Sequence, residues 1–150
     1  KSLSTLIEDR KNIRTAEQCI KDAESLLQGI NSLDNLNTVL EKAAEGMQFH
    51  EAIITFYEED GKLGSRINTE ESSIGEKVSW RDPDYSGYYS RKNEFIAEFP
   101  ISGRKYNYGK ILYRFIDNRD KLEVNEEILL ERIHDGLSVF AGKVRKQTEV

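Results

Sequence analysis

Two stretches near the C-terminal third decide the fold: Phe95-Ile96-Ala97-Glu98-Phe99-Pro100-Ile101 and Gly109-Lys110-Ile111-Leu112-Tyr113-Arg114-Phe115. In the first, Phe95, Ala97, Phe99 and Ile101 recur at every second position, and in the second Ile111, Tyr113 and Phe115 do the same. A period of two puts each set on one face of a strand, so the pair predicts two neighbouring half-buried strands and a sheet as the chassis.

Working outward, Glu94 is preceded by a polar stretch from Thr69 to Asn93 in which the periodicity fades, apart from a short element around Val78 to Trp80. Connections this long are uncommon in compact domains and are often functional. This one carries Trp80, Tyr85, Tyr88 and Tyr89 among Arg81, Asp82, Asp84 and Arg91. Large flat rings with a polar tip suit covering a ligand or a partner, and the alternative is that they roof the sheet. Upstream, Ala52 to Tyr57 is apolar on both faces and reads as a central strand. Asp60-Gly61 predicts a tight hairpin turn into a charged returning strand at Leu63 to Asn68.

Helices flank this region. Leu6, Ile13, Ile20 and Leu27 are seven apart, with Ala16, Ala23 and Ile30 beside them, a heptad seam. Such a helix either lies on its own domain or also pairs with a second chain. Ser32 is placed to cap a second helix striped by Leu33, Leu36, Val39, Leu40 and Ala43, with Gly46 as its expected terminator. Asn125 is the expected cap of a last helix with Glu126 and Glu127 in its first turn and Leu130, Ile133, Leu137, Phe140 and Val144 on its apolar side. The fold class expected is α+β, an antiparallel sheet with helices mainly on one face.

At 150 residues one domain is expected, spanning 1–150, with 1–30 a leading amphipathic helix that connects to an upstream domain. The chain begins at Lys1 rather than Met, which suggests a piece of a longer polypeptide. A formal net charge of −5 argues against a nucleic-acid partner. No apolar run approaches the roughly 18 residues that span a bilayer, so direct membrane insertion is not expected. A single cysteine, Cys19, excludes an internal disulfide and suits a cytoplasmic setting.

The run Phe49-His50-Glu51-Ala52-Ile53-Ile54-Thr55-Phe56-Tyr57, the strand at Phe95 to Ile101, and Tyr108-Gly109-Lys110-Ile111-Leu112-Tyr113 with its opening glycine together resemble a GAF domain. Leu122 to Ile128 resembles the family's entry into the last helix, although the family often has Phe where this chain has Leu122. A PAS domain shares the antiparallel sheet and is the rival. The GAF resemblance implies about six strands, terminal helices packed on one face, and a pocket between the other face and the loops. It implies a regulatory or sensory module rather than an enzyme, and a homodimer paired through terminal helices. Candidate ligand residues are Trp80, Arg81, Tyr85, Tyr88, Tyr89, Phe95, Phe99 and Tyr113, and candidate dimer residues are Leu6, Ile13, Ile20, Leu27, Leu137, Phe140 and Val144. A further resemblance is to the soluble region that follows the membrane part of some bacterial polyprenyl-phosphate sugar-1-phosphate transferases, which implies tethering to the inner face of a membrane. A protein-interaction or scaffold domain with a filled pocket is the alternative.

Family chemistries are not reproduced. Asn118-Arg119-Asp120 does not match the cyclic-nucleotide signature, Cys19 is poorly placed to hold a bilin, and one cysteine excludes the methionine-sulfoxide reaction. There is no phosphate loop or nucleophile elbow, and neither His50 nor His134 has metal-ligand spacing, so no cofactor and no metal are expected.

Overall fold

The computed structural model describes residues 3–57, 74–84, 94–117 and 119–148. In chain order these form α1 (Leu3–Gly29), a 3₁₀ turn (Leu33–Asn35), α2 (Leu36–Met47), β1 (Glu51–Tyr57), β2 (Ile74–Arg81), β3 (Glu94–Ser102), β4 (Asn107–Ile116) and α3 (Val124–Thr148). The four strands make one antiparallel sheet in the order β2-β1-β4-β3. The class is therefore α+β, with four strands among the described residues where six were expected.

β1 is central, as its two apolar faces predict. Its partner on one side is Ile74–Arg81, a strand that the sequence reduces to a short element. The reason is that β2 has half-buried apolar side chains at Val78 and Trp80, whereas Glu76, Lys77, Ser79 and Arg81 are exposed or polar. The expected returning strand at 63–68 and the Asp60-Gly61 turn lie outside the described residues.

Cross-strand register fixes the two faces. Trp80, Ala52, Tyr113 and Ala97 form one row, and Val78, Ile54, Ile111 and Phe99 the next. This face is covered by α2 and α3, and its residues join the helical stripes in a single core. Gly109 sits where β4 passes β1 most closely: a Cβ there would lie 2.0 Å from the Thr55 carbonyl oxygen. That close approach gives the strand-opening glycine a physical cause.

α1 lies outside α2 and α3 rather than on the sheet. It runs antiparallel to α2, with Lys42 near Asp22 and Gly46 near Ala16, and parallel to α3, with Arg132 paired to Glu24 and Gly136 against Leu27. Gly46 does not end α2. The helix continues to Met47 and closes at Gln48, which takes the left-handed conformation at φ 65° and donates its N–H to the Ala44 carbonyl. Gly46 instead admits α1, since a Cβ there would fall 2.7 Å from Cys19 Cβ. Ser32 does cap, accepting from the Asp34 N–H at 3.2 Å, at the start of the 3₁₀ turn. The cap of α3 is Glu123 rather than Asn125: its N–H donates to the Glu126 carboxylate at 2.9 Å, and its carbonyl accepts the Glu127 N–H.

The heptad residues Ile20 and Leu27, with Leu137 and Phe140 of α3, are buried inside this chain, and Val144 is half-buried. The three-helix layer accounts for their burial without a second copy. The side chains of Leu6 and Ile13 lie outside the described residues. Among the described residues, no helix is long and apolar enough to cross a membrane.

Candidate functional site

The sheet face turned away from the helices carries the polar centre of the molecule. One cross-strand row on that face reads Arg81, Glu51, Arg114, Ile96, and Glu94 stands two residues along β3 from Ile96. Directly opposed residues on one face lie close enough to interact, so the alternation of sign across the row is self-stabilising. The Arg114 guanidinium donates from Nε to Glu51 at 3.0 Å and from Nη1 to Glu94 at 2.8 Å. Arg81 Nε stands 3.7 Å from the other oxygen of Glu51. Burial works against the charge of Arg114, but the hydrogen bonds and attraction of Glu51 and Glu94 outweigh it and raise its pKa above the ordinary guanidinium value. Among the described residues, two cations and two carboxylates balance in this cluster. Beside it lie Ile53 and Leu112, both partly buried, and then Thr55, which is buried between Lys77 and Lys110 in the register.

The end of the sheet next to this row is tied down locally. The His50 N–H donates to the Arg114 carbonyl at 2.8 Å, and the Asp82 N–H donates to the His50 carbonyl at 2.8 Å, each extending a ladder by one bond. His50 Nδ1 lies 3.3 Å from the Asp82 carboxylate, which also accepts the Asp84 N–H at 2.9 Å. Asp82-Pro83-Asp84 is therefore an anchored turn at the exit of β2. β2 ends and β3 begins at this same end of the sheet but on opposite edges, about 14 Å apart at ordinary strand spacing.

The sequence-derived ligand residues separate between the two faces. Arg81 belongs to the charged row. Trp80, Phe95, Phe99 and Tyr113 point to the helices: Trp80 meets Phe49 edge-on at 5.8 Å, Phe95 lies 6.1 Å from Phe115, and Phe99 lies 6.1 Å from Tyr113. A ligand on the opposite face would not touch these four, because the sheet itself stands between. Tyr85, Tyr88 and Tyr89 lie outside the described residues. Sequence reasoning missed Glu51, Glu94 and Arg114. The available signal was a charge within one predicted strand, Arg114, and one immediately before each of two others, Glu51 and Glu94, at positions alternating with the core residues.

Two other features bear on chemistry. Arg119 is held by Asp117 at 2.8 Å and Glu126 at 2.7 Å, with its guanidinium 4.6 Å over the Phe115 ring, at the rim of a hollow of about 440 Å³ between α2 and α3. Cys19 is buried against Gly46 in the helical layer, and burial pushes its thiol pKa up, away from a reactive thiolate. Among the described residues no three His, Cys, Asp or Glu side chains are grouped to hold a metal. In comparison with known proteins, the chain matches no family model and no curated protein sequence.

Proposed function

We propose that the chain is a non-catalytic regulatory or sensory module of GAF-like architecture, which holds a small molecule over the Arg114 face beneath the aromatic segment joining β2 to β3. The observation that carries this reading is where that segment starts and finishes: at the anchored Asp82–Asp84 turn on one edge and at Glu94 on the other, beside the charged row. Tyr85, Tyr88 and Tyr89 fall within it, and such rings cover a ligand while keeping a polar tip in water. The balanced charge of the row favours a polar ligand that offers donors and acceptors over a multiply charged one. GAF-like architecture calls for about six strands, two more than the described residues form.

A thermal-shift screen of nucleotides, sugar nucleotides and metabolites tests the reading. A stabilising ligand whose effect is lost in Arg81→Ala supports it. No stabilising compound, or an effect untouched by Arg81→Ala, counts against it. The second reading, a scaffold domain with a filled pocket, draws on Trp80, which packs on Phe49 in the core instead of standing over the opposite face.

The proposal retains a homodimer but moves its surface. Val124, Ile128 and Val139 are exposed and lie four and eleven residues apart, near whole numbers of turns, so they share one outward face of α3. Leu26 is exposed on α1. Sedimentation of the wild type and of Ile128→Glu/Val139→Glu checks this: a dimer that the double variant dissociates is expected, and a wild-type monomer at high concentration refutes the pairing. The reading also includes an upstream domain of the same polypeptide and a cytoplasmic setting, tethered through that domain to the inner face of a membrane.

A further inference from the structure

A groove runs between α1 and α3, with a hollow of about 260 Å³ lined by residues of these two helices alone. The helices meet where Gly136 faces Leu27: a Cβ on Gly136 would fall 2.7 Å from the Leu27 side chain. Leu27 and Phe140, both buried, give the groove an apolar base, and Val139 stands at its mouth 62% exposed. An exposed valine alone is ordinary. Its neighbours give this one a direction.

Asp135 and Lys143 line the same groove, four residues before and four after Val139. Each stands about 6 Å along the helix from Val139 and within about 40° of it around the axis. Both are exposed, and neither side chain has an ion-pair or hydrogen-bond partner among the described residues. The groove's other cation, Arg132, is already paired to Glu24 of the same chain.

This pattern complements itself in one orientation. When a second α3 is laid across Val139 in the antiparallel sense, positions equally far on either side exchange, so Asp135 meets the partner's Lys143 and Lys143 meets the partner's Asp135. In the parallel sense each charge meets its own copy and is repelled. The antiparallel overlap covers residues 130–148, about 28 Å of helix. Across the width of α1 and α3, about 20 Å, it buries roughly 1,100 Å² over both chains, at the low end of specific interfaces.

We propose that a second copy of this chain docks in the α1–α3 groove with the two α3 helices antiparallel across Val139 and two Asp135–Lys143 pairs flanking the contact. This rests on the homodimer of the proposed function and adds its register and direction.

The test is sedimentation equilibrium of the whole chain from low to high micromolar concentration at low salt, with far-UV circular dichroism to confirm that each variant is folded. The wild type should dimerise. Asp135→Lys and Lys143→Asp should each weaken the dimer about tenfold, because two exposed charge pairs turn from attraction to repulsion. The double variant Asp135→Lys/Lys143→Asp should restore it, since the exchanged charges again meet their opposites. Glu41→Lys, on the exposed side of α2, changes the net charge as much as Asp135→Lys and should leave the dimer unchanged. A dimer that Ile128→Glu/Val139→Glu dissociates but the single charge variants leave intact keeps the homodimer and overturns the antiparallel pairing. So does a double variant no tighter than the single ones. A wild-type monomer throughout overturns both.

Discussion

Acidification should destabilise this protein through the buried His134. Burial pushes the His134 pKa from the ordinary 6.5 down to about 4, because a charged imidazolium between Tyr113, Phe99 and the sheet would lose its hydration. In the folded chain the ring stays neutral until about pH 4, whereas in the unfolded chain it takes up a proton near pH 6.5. Between those values the unfolded state binds more protons, so stability falls as pH falls and is fully present above pH 6.5. The slope approaches ~1.4 kcal/mol per pH unit, and the 2.5-unit window (6.5 minus about 4) corresponds to a total of ~3 kcal/mol. Urea unfolding at half-unit pH steps measures this directly. His134→Phe should flatten the curve across the window, because the titrating group is gone, while lowering stability at neutral pH by about 1–3 kcal/mol through the Tyr113 hydroxyl left unpaired. Adding Tyr113→Phe to His134→Phe should recover most of that loss, since both polar partners are then absent. A wild-type slope that persists in His134→Phe would refute the reasoning.

Other expectations follow from close approaches and charges. Gly109→Ala should cost about 3 kcal/mol or more, because its Cβ would enter the Thr55 carbonyl and force β4 away from β1, whereas Gly29→Ala, with open space around it, should change stability by less than about 1 kcal/mol; chemical denaturation distinguishes them. Gly46→Ala should loosen α1 from α2, at about 1–3 kcal/mol, and raise amide exchange in residues 15–29 more than in the sheet. Arg114→Met leaves Glu51 and Glu94 without their shared cation, so it should cost about 1–3 kcal/mol at neutral pH. Urea unfolding of the two proteins measures that difference, and an unchanged stability would show that the guanidinium contributes packing alone.

Much of the fold was legible in order. The alternation through Phe95 to Ile101 and Ile111 to Phe115 gives the two strands and their buried faces, and the stripe from Leu130 to Phe140 gives α3. β2 was not legible because an edge strand with two half-buried residues, Val78 and Trp80, has too few apolar positions to show a period. The candidate site was legible in fewer parts. Arg81 was found, but Trp80, Phe95, Phe99 and Tyr113 are aromatic for the sake of the core, and an aromatic residue reads the same in sequence whether it meets a ligand or a helix.

By itself, the sequence determined which side of each helix and strand must leave water, since that depends on a period within a few consecutive residues. Only the tertiary structure decided what lies on the other side of that surface. Ile20 and Leu27 meet α2 and α3 instead of a second chain, Gly46 admits α1 instead of ending α2, and Arg114 gathers Glu51 and Glu94 from strands far apart in the chain. The physical reason is that burial is a local demand which many partners can satisfy equally well. The choice among them rests on contacts between residues 20 to 110 positions apart, made in space by register and close packing.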